Sequence, residues 1–215
     1  WGVFKDIYCA GNDSVFTFLE NILDEVIDLF PSKYIHIGGD EAPKFRWKNC
    51  NKCQKRIVEN NLKDENELQS YFINRIGKYL EKNNKQLIGW DEIMEGGIPK
   101  NAIVQSWRGM AGGKLAAENS HYAIMSPTSH CYFDYDLQSI DLEKVYSFDP
   151  IPIDLEKNKH NFILGGECNM WSERAPQEKV DSKVFPRILA MSEVLWGKKE
   201  NIYEDFLTTV ENHYP

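Results

Sequence analysis

Asp40 and Glu41 stand side by side behind an apolar run and two glycines, Tyr34-Ile35-His36-Ile37-Gly38-Gly39. Glycines at a strand end let backbone and ligand approach closely. Acids leaving the carboxyl end of a parallel strand stand at the rim where α/β barrels do their chemistry. An acid pair at such a rim fits sugar chemistry. An isolated Asp-Glu pair followed by Pro43 more often only caps or turns the chain, so the other motifs have to decide.

Three further strand ends carry Trp beside a polar residue: Trp90-Asp91, Trp107-Arg108 and Trp171-Ser172-Glu173. A single Trp is more commonly core than ligand contact. Three at equivalent places are different, since the C–H face of a pyranose stacks on indole while its hydroxyls need acceptors. Asp134 and Glu173 can supply such acceptors. His36 is expected to be a hydrogen-bonded core histidine rather than a metal ligand. Arg108 and Arg174 are expected to brace strand-end carboxylates, because a neutral sugar offers a guanidinium no bidentate target.

Five cysteines, Cys9, Cys50, Cys53, Cys131 and Cys168, leave at least one unpaired in a monomer and fit no dense disulfide framework. Cys50-Asn51-Lys52-Cys53 has the spacing of a zinc half-site or a redox pair. The sequence offers it no second CxxC and no matching His pair, so a loop staple or free thiols is the favoured reading and no metal is expected.

The elements that must position these residues read as alternating helices and strands. A helix capped at Asp13 or Ser14 repeats Val15, Phe16, Leu19, Ile22, Leu23, Val26, Ile27 and Phe30 at helical spacing, and Pro31 stops it. A strand over residues 34–39 follows, then a polar loop holding Cys50 and Cys53. A helix over about 65–82 carries Leu68, Tyr71, Phe72, Ile76, Tyr79 and Leu80 on one stripe. Further strands are expected at 86–92, 102–107, 122–126 and 162–171, with helices at 112–119 and about 182–196, the last packing Val184, Ile188, Met191 and Leu195. The stretch from about 129 to 159 reads as one long irregular excursion, too rich in aromatics and prolines for a flexible spacer.

Nearly all-apolar strands alternating with amphipathic helices define an α/β chain with a parallel sheet, either a (β/α)8 barrel or a doubly wound sheet. The gathering of acids and tryptophans at strand ends favours the barrel, and no phosphate-loop or dinucleotide signature favours the alternative. A barrel needs eight strands and typically about 250 residues, whereas five strands are read in these 215 residues. Residues 1–215 are therefore expected to be an excised piece of a barrel, or a chain completed by another, because an open five-strand arc would leave two apolar edges unpaired.

Composition bounds the function. With 42% apolar and 13% aromatic residues the chain can pack a core, and a net charge of -8 without a basic run argues against nucleic acid. No apolar stretch approaches the roughly 20 residues of a membrane span. The opening Trp1-Gly2-Val3 has no signal-like character, so the compartment is not legible from it.

Five motifs in order, His36-Ile37-Gly38-Gly39-Asp40-Glu41, Gly89-Trp90-Asp91-Glu92, Ser106-Trp107-Arg108-Gly109, Tyr132-Phe133-Asp134 and Trp171-Ser172-Glu173, resemble glycoside hydrolase family 20, the β-N-acetylhexosaminidases. The resemblance runs from strand four to strand eight of that family's barrel, which implies that residues 1–215 are the C-terminal part of a single catalytic barrel whose first strands lie outside the chain. It implies removal of terminal non-reducing N-acetyl-β-D-hexosamine, gluco or galacto, by a retaining mechanism in which the substrate's own acetamido oxygen attacks. On it, Glu41 is the general acid and later the base, Asp40 orients the acetamido N–H and stabilises the oxazolinium-like charge, and Tyr132 donates to the acetamido oxygen. Trp90, Trp107 and Trp171 wall the sugar, while Asp134 and Glu173 hold its hydroxyls. The resemblance implies a glycan partner, no cofactor, and an exported compartment, periplasmic, extracellular or lysosomal. Two features depart from the family. Its substrate-gripping arginine and further acid and histidine contacts belong to strands that precede this chain, and the stretch 137–153 holds Tyr146 and Phe148 where the family often adds a tryptophan. The contrasting expectation is a carbohydrate-binding fragment without catalysis, against which the retention of both Asp40 and Glu41 weighs, since a binder needs no general acid.

Overall fold

Asn12 opens the first helix, one residue earlier than expected. In the computed structural model, which describes residues 2–197 and 202–213, its side-chain oxygen accepts the Ser14 N–H and α1 (Asp13–Leu29) follows. Asp13 is thereby left to pair with Arg56 and Arg75. Of the apolar stripe expected on α1 only Phe16 is buried; Ile22 stays exposed, as does Phe18 beside the stripe, and Phe30 falls one residue past the helix end as its exposed C-cap. The chain divides into two compact units at the peptide between Val104 and Gln105.

In the first unit, β1 (Tyr34–His36) runs parallel to β2 (Gln86–Trp90) with Ile35 opposite Leu87. The ladder continues past β1 through Ile37 N–H to Ile88 O and Trp90 N–H to Gly38 O, both 2.9 Å. The stretch expected as a polar loop instead folds into α2 (Phe45–Lys48) and α3 (Asn51–Glu59). Short helices carry too few turns to show a period, and burial of Trp47, Cys53 and Ile57 with Ala10 and Leu68 stabilises them. Asp64 caps α4 (Glu65–Lys82) by accepting the Asn66 and Glu67 N–H groups at 2.9 and 3.0 Å. α4 buries Leu68, Ile73, Ile76 and Leu80. The strand expected over 86–92 stops at Trp90, and Asp91–Met94 forms a 3₁₀ turn. The turn folds Ile93 back over the glycines: a Cβ on Gly39 or Gly89 would meet Ile93 Cγ2 at 2.6 or 2.7 Å.

The boundary lies within β3 (Ile103–Ser106), whose residues are all buried. In the second unit, α5 (Ala111–Glu118), β4 (Ala123–Met125) and α6 (Leu142–Tyr146) come next. The excursion at 129–159 is thus partly helical, with Asp141 capping α6 through the Lys144 N–H at 2.8 Å. β5 (Ile163–Gly166) runs parallel to β4 with a register shift between Ala123 and Ile124. It is shorter than the 162–171 expectation, and beyond it Asn169 makes only an isolated parallel bridge to Tyr132. The helix expected over 182–196 is two, α7 (Val180–Val184) and α8 (Arg187–Trp196), because Pro186 has no N–H to continue the first. α9 (Tyr203–His213) closes the described chain, with Phe206 stacked 4.8 Å from the Tyr146 ring. Strand order is β1-β2-β3-β4-β5, the chain order expected of successive βα units. Among the described residues no helix is long and apolar enough to cross a membrane.

Candidate active site

At the end of β1 the backbone hooks. Gly38, Gly39 and Glu41 have φ of +72°, +95° and +46°. Glycine takes such angles freely, but at Glu41 a left-handed conformation costs on the order of 1–2 kcal/mol. Strain of this kind persists where the surroundings over-determine the backbone, as at many active sites. Here Ile93 fills the space beside Gly39, and the Gly38 N–H is held by His36 Nδ1 at 3.0 Å. The hook leaves the Asp40 and Glu41 side chains exposed. Lys44 pairs with Glu95 at 2.9 Å, tying the segment after Glu41 to the segment after the Asp91–Met94 turn.

Trp90 is half-buried, its ring 5.0 Å from His36 and steeply inclined to it. His36, expected in the core, is exposed in this chain. β1 is three residues long and turns Ile35 inward, so Tyr34 and His36 share the exposed face. Asp91 and Glu92, next to Trp90, are buried, and Gln69 Nε2 donates to Glu92 O at 2.8 Å. A groove of about 660 Å³ also reaches Asp40 and His36, but Leu19, Ile22, Phe72 and Ile76 wall it. Walls this apolar suit packed side chains better than a hydroxylated sugar, so the strand ends remain the better candidate.

The second unit holds its candidates differently. Ser106 Oγ donates to Gly109 O at 2.7 Å and accepts the Gly113 N–H at 2.9 Å, fixing the turn that bears half-buried Trp107. Tyr132 is 7% exposed, with its ring 6.3 Å from Trp107 and 5.5 Å from Tyr135. The Phe133 N–H donates to Asn169 O at 2.8 Å and the Asn169 N–H to Cys131 O at 2.7 Å, joining the segments that follow β4 and β5. Asp134 is 3% exposed. Burial pushes its carboxyl above the ordinary carboxylate range, against backbone N–H groups of Asp134 and Trp171 and the charges of Arg174 and Lys183. Asp134 Oδ1 is buried without a hydrogen-bond partner among the described residues. Such an acceptor is costly to leave unmade, and a ligand hydroxyl would satisfy it. Trp171 is 42% exposed, and Glu173 is at the surface.

Two residues escaped the sequence reading. Arg187, only 1% exposed, donates to Ile140 O and Lys183 O at 2.8 Å and also to Phe133 O, with its guanidinium 4.6 Å over the Phe133 ring. Lys183 Nζ donates to Tyr135 O at 3.0 Å and to Asp134 O. Together these cations clamp the backbone that carries Tyr132 and Asp134. The available signal was two basic residues four apart on the apolar side of a helix. Arg174, expected to brace a carboxylate, lies 4.7 Å over the Tyr135 ring and adds only a lesser charge effect at Asp134. Glu167 is a further unforeseen carboxyl, which accepts from Gln105 Nε2 and is pushed up by burial.

The family model for the glycosyl hydrolase family 20 catalytic domain matches residues 1–199. The chain belongs to glycosyl hydrolase family 20. It is similar to a β-hexosaminidase of Porphyromonas gingivalis, 46% identical over 228 residues that cover 99% of this chain and 29% of the relative. A Vibrio furnissii β-hexosaminidase is 30% identical, with 82% of this chain and 31% of the relative covered. Among solved structures, the Bacteroides fragilis β-N-acetylhexosaminidase superposes with a TM-score of 0.86 at 33% identity, covering 98% of this chain and 46% of that one. The Flavobacterium johnsoniae chitobiase gives 0.87 at 34% identity, covering 99% and 33%. The chain thus spans about a third of the two β-hexosaminidases, and its five parallel strands have the fold of part of the family 20 (β/α)8 barrel.

Proposed function

We propose that the protein carrying this chain hydrolyses terminal non-reducing N-acetyl-β-D-hexosamine from glycans with retention of configuration, and that residues 1–215 are the C-terminal part of its barrel. The observation that carries the reading is the hook at Gly38, Gly39 and Glu41, which holds two exposed carboxyls at the end of a parallel strand in a family 20 chain. The apolar side chains left exposed on α1, Phe18 and Ile22, support a barrel that continues beyond these strands.

In this mechanism the acetamido oxygen forms a bond to the anomeric carbon as the glycosidic bond breaks, and Glu41 gives its proton to the leaving oxygen. Glu41 then removes a proton from the water that opens the oxazolinium-like intermediate, restoring the β configuration. Asp40, ionised, accepts from the acetamido N–H and offsets the positive charge. Tyr132 donates its hydroxyl to the acetamido oxygen. Trp90, Trp107 and Trp171 provide faces for the sugar and its methyl group, and the partnerless buried oxygen of Asp134 accepts a sugar hydroxyl. Glu173, exposed as it is, is assigned a hydroxyl contact by family resemblance alone.

The test is release of a chromogenic aglycone from N-acetyl-β-glucosaminide and from plain β-glucoside by the full-length protein and its Glu41→Gln variant. Cleavage of the acetamido sugar alone, lost in the variant, is expected. Equal cleavage of both sugars would remove the acetamido from the chemistry, and no cleavage of either would turn the reading to a binding module.

A further inference from the structure

Cys9 lies 41 residues before Cys50, yet its Sγ is 3.6 Å from Cys50 Sγ and also 3.6 Å from Cys53 Sγ. The three sulfurs lie within 4.8 Å of one another, with Cys53 buried and the other two partly so. We propose that Cys9, Cys50 and Cys53 form a trithiolate site for a thiophilic divalent ion, zinc by chemical class, that ties the segment before α1 to the start of α3. The inference is independent of the function proposed above.

The geometry separates a metal from a disulfide. A zinc-sulfur bond of about 2.3 Å puts the sulfurs of a tetrahedral site about 3.8 Å apart, close to the two 3.6 Å separations found here. A disulfide joins sulfurs at about 2.05 Å. Either pairing of Cys9 would draw its sulfur towards one partner and leave the other thiol unused in the same partly buried place. Two equal separations from Cys9, with all three sulfurs within 4.8 Å of one another, fit one ion held by all three.

The three sulfurs are brought together by contacts of the scaffold itself. A Cβ on Gly11 would meet the Lys52 carbonyl carbon at 2.1 Å and Cys53 N at 2.5 Å, so only glycine allows the Cys9 segment to lie against the first turn of α3. Trp47 Nε1 donates to Tyr8 O at 2.9 Å, holding that segment from the other side. Cys50 is the N-cap residue of the nine-residue α3, which puts its sulfur at the positive end of the helix. Binding replaces three S–H bonds by three metal-sulfur bonds and releases the protons to solvent. A water or another neutral ligand completes the tetrahedron. The sequence reading found no companion for the CxxC pair because that companion comes from another element.

The experiment uses the full-length protein that carries this chain, purified reduced and without chelator, incubated with zinc or cobalt(II), desalted, and assayed for metal by mass spectrometry. About one zinc per chain is expected, with the charge-transfer and intense visible bands of tetrahedral cobalt-thiolate in the cobalt form. The Cys131→Ser/Cys168→Ser double variant should retain the ion, and Cys50→Ser, at a partly exposed position, should retain less than roughly a tenth of it. Failure of the reduced wild type to take up either metal would overturn the site. So would equal uptake by Cys50→Ser with its circular dichroism unchanged, or a disulfide among these cysteines whose reduction restores thiols but no metal binding. Because the decisive readings are made on the wild type, a poorly folding variant does not shield the proposal.

Discussion

The ends of β1 and β4 hold their functional groups in opposite ways. At the first, the carboxyls of Asp40 and Glu41 are exposed, and stiffness comes from the backbone: a left-handed turn whose Gly39 is wedged against Ile93. At the second, Tyr132 and Asp134 are buried, and stiffness comes from Lys183 and Arg187 reaching the same loop from α7 and α8. For Glu41 and Tyr132 the difference matches what each is asked to do in the proposed reaction, whereas Asp40 orients substrate from an exposed position. A proton carrier has to exchange with solvent and a leaving group, so it is fixed by its own turn. Groups that only orient substrate can be desolvated, where each hydrogen bond counts for more.

The comparison breaks most visibly at Glu41. Glu41→Gln is expected to lower kcat by roughly 10²–10⁴-fold with the urea midpoint unchanged, and a matching loss of stability would show that the exposed carboxyl also supports the fold. Arg187→Met should do the reverse. Removing a buried donor from the Phe133, Ile140 and Lys183 carbonyls should cost about 3 kcal/mol in denaturant unfolding, with Arg187→Lys recovering part of it.

Gly39→Ala probes the wedge, since the added Cβ meets Ile93 Cγ2 at 2.6 Å on a residue with φ +95°. A loss of about 2 kcal/mol is expected. In a double-mutant cycle with Ile93→Ala the steric share should show as coupling, while purely additive effects would assign the cost to the backbone alone. Tyr132→Phe should slow turnover about tenfold through one lost hydrogen bond and spare the melting temperature, and unchanged turnover would remove Tyr132 from the mechanism.

The smallest effect is expected away from both strand ends. Arg75, then Arg56, hold the Asp13 carboxyl below its ordinary value. A lowered folded-state pKa stabilises above the unfolded value of about 3.9 and loses that contribution as pH falls through the lower one. Because Asp13 is largely exposed, Asp13→Asn should cost only about 0.5 kcal/mol at neutral pH. The gap to the wild type should close in acid.

Much of this was legible from local pattern. α1 and α4 announce themselves by helical period, and the five strands by short apolar runs in chain order. Gly38 and Gly39 before Asp40 and Glu41 mark the hook, because only glycine enters such angles without strain. α2 and α3 were not legible, being too short to show a period and stabilised by contacts with Ala10 and Leu68 from other elements. The exposure of His36 depends on which face of a three-residue strand is covered. The clamp of Lys183 and Arg187 on a loop about 50 residues earlier, and the meeting of Cys9 with Cys50 and Cys53, were equally out of reach. Sequence by itself determined the period, the turns and the chemical types at the strand ends, since these depend on neighbours along the chain. Only the tertiary structure decided which distant side chains meet and which groups lose water, because both are set by the packing of whole elements against one another.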